Sequence, residues 1–452
     1  MTITEATTLN NSELGRLFFA IVLLLLSAHT FGYLFQRLKL PRVIGEIFGG
    51  VLLGPTILGN FFPHAADWIF NGFQAEGKLI SMISWLGLVL LMFISGFEVQ
   101  KSFDRQDRRI IIVTLLGSTI IPFLAGWLAP SFYDFSSYFG PKSNVLALKI
   151  IVGIAVAITS IPVISKIFMD LGILNTSFAK IVLATATLHD VILWIALAIA
   201  TGLVSTQATS LAGITLTVFI TIVFLALSLL VMPQLIKFSS GLKYNFLLRS
   251  STSGYVMFVC FLFAAVASVL EVNIVFGALL AGMVIGAMPD DQFAKAKEHI
   301  RDMSLAFFIP IYFAIIGLRL DLIYHFDILF SLRFFLFATT FAVLGTLIAL
   351  RLAKEDWLSS FNIAVAMNAR GGPLIVLATV ALEFGIINQT FFVTMVLIAL
   401  ATSLLAGSWF RYVIAMGWPL LNRGGVERLA LPTQEQSELS SSRIPISRDR
   451  QA

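Results

Sequence analysis

The chain has 452 residues, 58% of them hydrophobic and only 12% charged, with a formal net charge of +5. Soluble domains run near half apolar and a quarter charged, so this is the composition of a polytopic membrane protein. The single Cys260 excludes a disulfide framework and a multi-cysteine metal site, and much of the basic charge lies in short loops and the tail, which argues against nucleic-acid binding.

A helix needs about 20 apolar residues to cross a bilayer. About thirteen such segments are predicted, at residues 17–35, 43–59, 79–97, 110–129, 147–168, 178–201, 211–232, 254–270, 272–288, 303–318, 333–351, 358–382 and 386–411, the eighth and ninth nearly fused around Glu271. The first is too long for a signal-peptide core and no small-residue cleavage pattern follows it, so it reads as a span. Basic residues alternate from loop to loop: Arg37, Lys39 and Arg42; Lys101, Arg105, Arg108 and Arg109; Lys237, Lys243 and Arg249; Lys295, Lys297 and Arg301; Arg351 and Lys354. Cytoplasmic loops carry such charge, so the N-terminus is expected outside and the C-terminus inside. The expected location is a bacterial inner (plasma) membrane. Residues 1–423 read as one transmembrane domain. The polar 424–452 tail is expected to be disordered and too short for a nucleotide-binding regulatory domain.

Spans five and twelve carry matching interruptions, "AVAITSIPVI" (155–164) and "AVAMNARGGPLI" (364–375). Proline removes a helix hydrogen bond and clashes with the preceding turn, so both helices are expected to break near mid-membrane. One such interruption means little, since proline and glycine are common in membrane helices. Two at matching places, seven spans apart and therefore oppositely oriented, suggest inverted repeats over about 17–201 and 254–411, with span 211–232 as a linker helix. Matched broken helices point to a substrate site.

Asp190 stands in "TATLHDVILW" (185–194), near the middle of span six, with no lysine or arginine for about two turns on either side. An acid at a helix centre costs on the order of 2.5–3.5 kcal/mol to insert. Its carboxylate can hold a proton or a hard monovalent cation, or be a structural acid paired with Arg370 or with a hydroxyl. Thr159 and Ser160 offer hydroxyl and freed carbonyl oxygens at the first break, suited to Na⁺ or K⁺. Asn368 and Arg370 stand at the second, where Arg370 can offset the repulsion of facing half-helix ends or pair with a carboxylate. His189 lies about 100° round the helix from Asp190 and is a packed group, a tuning group or a titrating one. Glu46 and Glu98 lie nearer the membrane ends and read as structural or gating. Arg319, Glu383 and Glu271 look interfacial, and His29 reads as a packing or lipid-interface residue. No nucleotide loop, metal-ligand spacing or nucleophile triad stands out, so neither an enzyme nor a cofactor is expected.

With these residues in place, the chain resembles the monovalent cation:proton antiporters, the group that includes potassium-efflux antiporters and plant cation/H⁺ exchangers. The resemblance covers about residues 15–415 and rests on six motifs in order: "LPRVIGEIFGGVLLGPTILG" (40–59), "GLVLLMFISGFEV" (87–99), "AITSIPVISKIFMDLGILNT" (157–176), "ATLHDVILWIALA" (186–198), "FFIPIYFAIIGLRLDL" (307–322) and "MNARGGPLIVLATVALEFGIIN" (367–388). It implies an all-α sodium/proton antiporter fold with two crossed discontinuous helices. It also implies a homodimer with a dimerisation domain and a mobile core moving as an elevator. The ion- and proton-binding acid falls on Asp190, the cation's oxygen donors on Thr159 and Ser160, and the positive charge of the second broken helix on Arg370, beside Asn368. Two departures stand out. His189 occupies the place where relatives carry an acid or an amide. A lysine that many relatives carry one helix before the second break would fall near Ala342, and Arg370 or His189 is left to replace it. The expected function is exchange of Na⁺ or K⁺ for H⁺, electroneutral at one to one because the core holds one acid. The alternatives are an uncoupled K⁺ pathway or membrane sensor on the same scaffold and, in third place, an organic anion transporter.

Overall fold

The structure is a computed structural model describing residues 9–38, 40–98, 107–174, 176–205, 211–241 and 245–422. Lys39, Lys101, Arg105, Lys243 and the 424–452 tail lie outside the described residues. The described chain is helical, with a lone antiparallel bridge between Phe139 and Ile387. Twelve helices among the described residues are long and apolar enough to cross a membrane.

The main helices are α1 (Asn11–Arg37), α2 (Arg42–Leu53), α3 (Glu76–Glu98), α4 (Arg108–Phe132), α5 (Val145–Ala157), α6 (Ile161–Asp170), α7 (Ser177–Ser205), α8 (Leu211–Leu230), α9 (Thr252–Val269), α10 (Ile274–Gly286), α11 (Asp290–Met303), α12 (Ile309–Leu318), α13 (Ile328–Leu352), α14 (Trp357–Met367), α15 (Gly371–Glu383) and α16 (Gln389–Ala415). Side-chain caps set several starts. Asn10 and Glu13 form a reciprocal capping box on α1, and Asn144, Asp327, Asp356 and Asn388 cap α5, α13, α14 and α16.

The ninth expected span is the short helix α10. Glu271 takes a left-handed φ of 56° after α9, and the Asn273 side chain then accepts from Val275 and Phe276 to start α10. Thirteen residues rise only about 20 Å, less than the hydrocarbon core. Neighbouring helices bury α10 from Val275 to Ile285. The tenth span starts earlier than its apolar run suggested. The charged helix α11 continues through a π-helical turn, Ser304–Phe308, into α12.

Packing divides the helices into two groups. Helices α1, α2, α3, α9, α10 and α12 form a panel; α4 to α7 and α13 to α16 form a core; α8 packs on α7 and α10 between them. The panel depends on backbone approach. A Cβ on Gly50 would sit 1.9 Å from the Ala314 carbonyl oxygen, and one on Gly317 would sit 2.0 Å from that of Ile47. Only glycine lets α2 and α12 come so close.

Candidate functional site

Both interrupted spans break where their sequences change. Helix α5 ends at Ala157, Ile158 and Ser160 are extended, and α6 begins with Pro162 in its first turn. Helix α14 ends at Met367, and α15 restarts at Gly371 after Asn368–Arg370. The two breaks meet. The Ser160 amide donates to the Ala369 carbonyl at 2.7 Å, and the Thr159 hydroxyl donates to the Met367 carbonyl. Gly371, at φ +40°, lies so near that a Cβ would approach Val163 Cγ2 to 2.3 Å and Ser160 Oγ to 2.9 Å. Thus α5 and α14 bring their carbonyl ends to the crossing and α6 and α15 their amide ends, opposite partial charges at one place.

Arg370 is fully buried beside this crossing. Its Nη2 donates to the Val156 carbonyl at 3.0 Å and to the Ala338 carbonyl on α13 at 2.8 Å, and its amide donates to Thr402 Oγ1 on α16. Its charge therefore offsets the carbonyl end of α5. No carboxylate among the described residues pairs with it, so the carboxylate pairing allowed by the sequence does not form. Nε and Nη1 stay without partners, as does Asn368 Oδ1. Ala338 is one turn before Ala342, which is apolar and buried. Arg370 thus brings a cation to the stretch of α13 where the resemblance led one to expect a lysine.

Asp190 projects from the continuous helix α7, which packs on α4, α5, α6 and α14. It is half-buried, its Oδ1 is enclosed without a hydrogen bond, and no cation among the described residues pairs with it. His189 is fully buried, with neither ring nitrogen hydrogen-bonded. It faces α4, where the Ser118 main chain lies against it outside hydrogen-bond geometry.

The two glutamates lie apart from this cluster. Glu46 is in the panel, paired with Arg42 at 2.8 Å. Glu98 closes α3, and its side chain lies outside the described residues. Arg42 Nη2 donates to His29 Nδ1 at 2.8 Å, and His29 Nε2 donates to the Ala306 carbonyl of the π-turn at 2.9 Å. His29 is therefore a hydrogen-bonded link between α1, α2 and the π-turn rather than a packing residue. The Arg42–Glu46 spacing is a legible helical pair; the histidine link is not. The sequence also missed the Arg319–Glu383 ion pair joining α12 to α15.

The family model described as "Sodium/hydrogen exchanger, transmembrane" matches residues 22–415. The chain belongs to the sodium/hydrogen exchanger family. This is a family of transporters rather than enzymes. The chain is 27% identical to K⁺/H⁺ antiporter 1 of Saccharomyces cerevisiae, covering 94% of this chain and 49% of that protein. It is 26% identical to the Na⁺/H⁺-K⁺ antiporter GerN of Bacillus cereus, covering 87% of this chain and 95% of that one. The chain therefore spans about half the length of the yeast relative and nearly all of GerN. The sodium proton antiporter MjNhaP1 of Methanocaldococcus jannaschii has a similar structure, with a TM-score of 0.60 and 15% identity over 89% of this chain and 97% of that one. That likeness supports the fold: an all-helical exchanger architecture.

Proposed function

We propose that this exchanger moves a monovalent cation, Na⁺ or K⁺, across the membrane in one direction and H⁺ in the other, by alternating access. Asp190 binds proton and cation in turn. The observation that carries this is the combination of an unpaired, half-buried carboxylate with two broken helices packed on its helix. Thr159 donates its proton to Met367, so its oxygen lone pairs can face a cation. Ser160 adds a hydroxyl at the same crossing, and Asn368 Oδ1 adds an acceptor without a partner. Arg370 fixes the carbonyl end of α5 and keeps the site's net charge near neutral when Asp190 is ionised. The core, moving as an elevator against the panel, would carry the site between the two sides. Inverted repeats, a homodimer in a bacterial inner membrane with N-terminus outside and C-terminus inside, and one-to-one stoichiometry complete the reading.

The test is proton flux in proteoliposomes over a series of Na⁺, K⁺ and Li⁺ concentrations. The expected outcome is cation-dependent proton movement that Asp190→Asn abolishes while the variant still elutes as folded protein. Retained exchange in that variant overturns the site. Cation flux without coupled proton movement would instead make the protein an uncoupled pathway. The free Nε and Nη1 donors of Arg370 favour one second reading, an organic anion as substrate; transport of a labelled carboxylate with no cation-dependent proton flux would establish it.

A further inference from the structure

The panel and core are bolted together by side chains on one membrane face. Arg319 ends α12 in the panel and Glu383 ends α15 in the core, and they form an ion pair. Gln389, at the start of α16 in the core, donates its side-chain amide to the Arg319 carbonyl. Two turns down α12, the buried Tyr312 hydroxyl faces Thr379 on α15 without completing a hydrogen bond. The polar link between α12 and α15 that is complete is therefore the Arg319–Glu383 pair at their ends.

On the opposite face, Leu40 and Pro41, in the loop between α1 and α2, line a cavity of about 20 Å³ together with Lys166, Ser403 and Arg411 of the core. Lys166 pairs with Asp170 of its own helix at 2.5 Å rather than across the cavity. Among the described residues, the Arg319–Glu383 pair joins panel to core at its face, and the Lys166–Asp170 pair lies within the core at the other.

We infer that Arg319 and Glu383, backed by Gln389, form a latch that holds the Arg319 face closed. The inference rests on the moving-core reading above. The core cannot slide along α12 without parting this pair. Both side chains are partly exposed, at 29% and 28%, and an ion pair of that kind biases a two-state equilibrium by about fivefold at most. The latch therefore sets the resting position of the core without locking it.

Spin labels on Phe132→Cys (core) and Val269→Cys (panel), both largely exposed, read the separation of the two groups directly by pulsed electron resonance. The native Cys260 is buried. Glu383→Gln and Arg319→Gln should each raise the population of a second distance by about three- to fivefold. The double reversal Arg319→Glu/Glu383→Arg should return the parent distribution. Distributions in both single variants equal to the parent overturn the latch, as does a reversal that restores nothing. This readout needs no transport. An absence of cation-dependent proton flux in the parent protein would count against the exchange reading alone, and the distances would still decide the latch.

Discussion

At the scale of single residues, the cost of burying an ion is the most informative quantity. The sequence exposes it for Asp190, because a carboxylate stands out in an apolar run. It does not expose what Arg370 does, because arginine's partners here are main-chain carbonyls that no motif can display. The carbonyl of Val156 would ordinarily accept from the amide four residues on, but that amide, on Ser160, donates to Ala369 instead. Arg370 Nη2 takes the vacated place. Arg370→Ala should therefore leave a buried acceptor unsatisfied and cost about 1–3 kcal/mol, seen as a lower thermal midpoint in detergent. Arg370→Lys, which keeps the charge but loses the planar fork, should recover part of that stability. A melting curve of the alanine variant superimposable on the parent's would show that the guanidinium supports nothing. His189 is buried, next to the acid in sequence, and unpartnered at both nitrogens.

At the scale of elements, both breaks were legible in the residues themselves, while their crossing was expected only from the family resemblance. Proline, glycine and a short polar run mark where a helix must stop. That the stops touch depends on bonds between segments far apart in sequence, from Ser160 to Ala369 and from Thr159 to Met367. The length of α10 was hidden for a related reason: hydropathy counts apolar residues, while the turn at Glu271 and the cap at Asn273 decide where the helix starts. The adjacent glycines test the crossing. Gly371 has a positive φ and no room for a Cβ, whereas a Cβ on Gly372 would meet nothing within 4 Å. Gly371→Ala should cost at least about 1–2 kcal/mol from the left-handed backbone alone, and spread the two breaks. The expected result is an apparent KM for the cation raised about tenfold, since 1.4 kcal/mol is one decade. Gly372→Ala should leave that KM unchanged. Equal effects from the two alanines would mean that the crossing does not shape the cation site. Thr159→Val, which removes one oxygen and keeps the shape, should raise KM by a similar factor, and because it takes away the donor to the buried Met367 carbonyl it should also lower stability by about 1–3 kcal/mol.

At the scale of the whole molecule, the count of unpaired charge in the core sets what the exchange cycle can move. Glu46 is in the panel and paired with Arg42, and Glu383 is held by Arg319. Among the described residues, Asp190 is the acid that both lies on a helix packed against the breaks and lacks a cationic partner. If the core carries Asp190 across with either one proton or one monovalent cation, the moving unit has the same net charge in both directions. Arg370 travels with it and cancels from the difference. Two consequences follow from that symmetry. Proton and cation compete for one carboxylate, so below its functional pKa the apparent KM for the cation should rise by about tenfold per pH unit, with no change in maximal rate. And because no net charge crosses per turnover, an imposed potential should not displace the final cation gradient. A cycle moving one extra charge would respond strongly: 100 mV is worth about 2.3 kcal/mol per charge, which displaces the equilibrium ratio about fiftyfold. Proteoliposomes given a fixed pH gradient, with and without a 100 mV potential, separate these cases cleanly. A shift approaching fiftyfold would require a second titrating group in the core, and His189, beside Asp190 and free at both nitrogens, would be the first residue to replace.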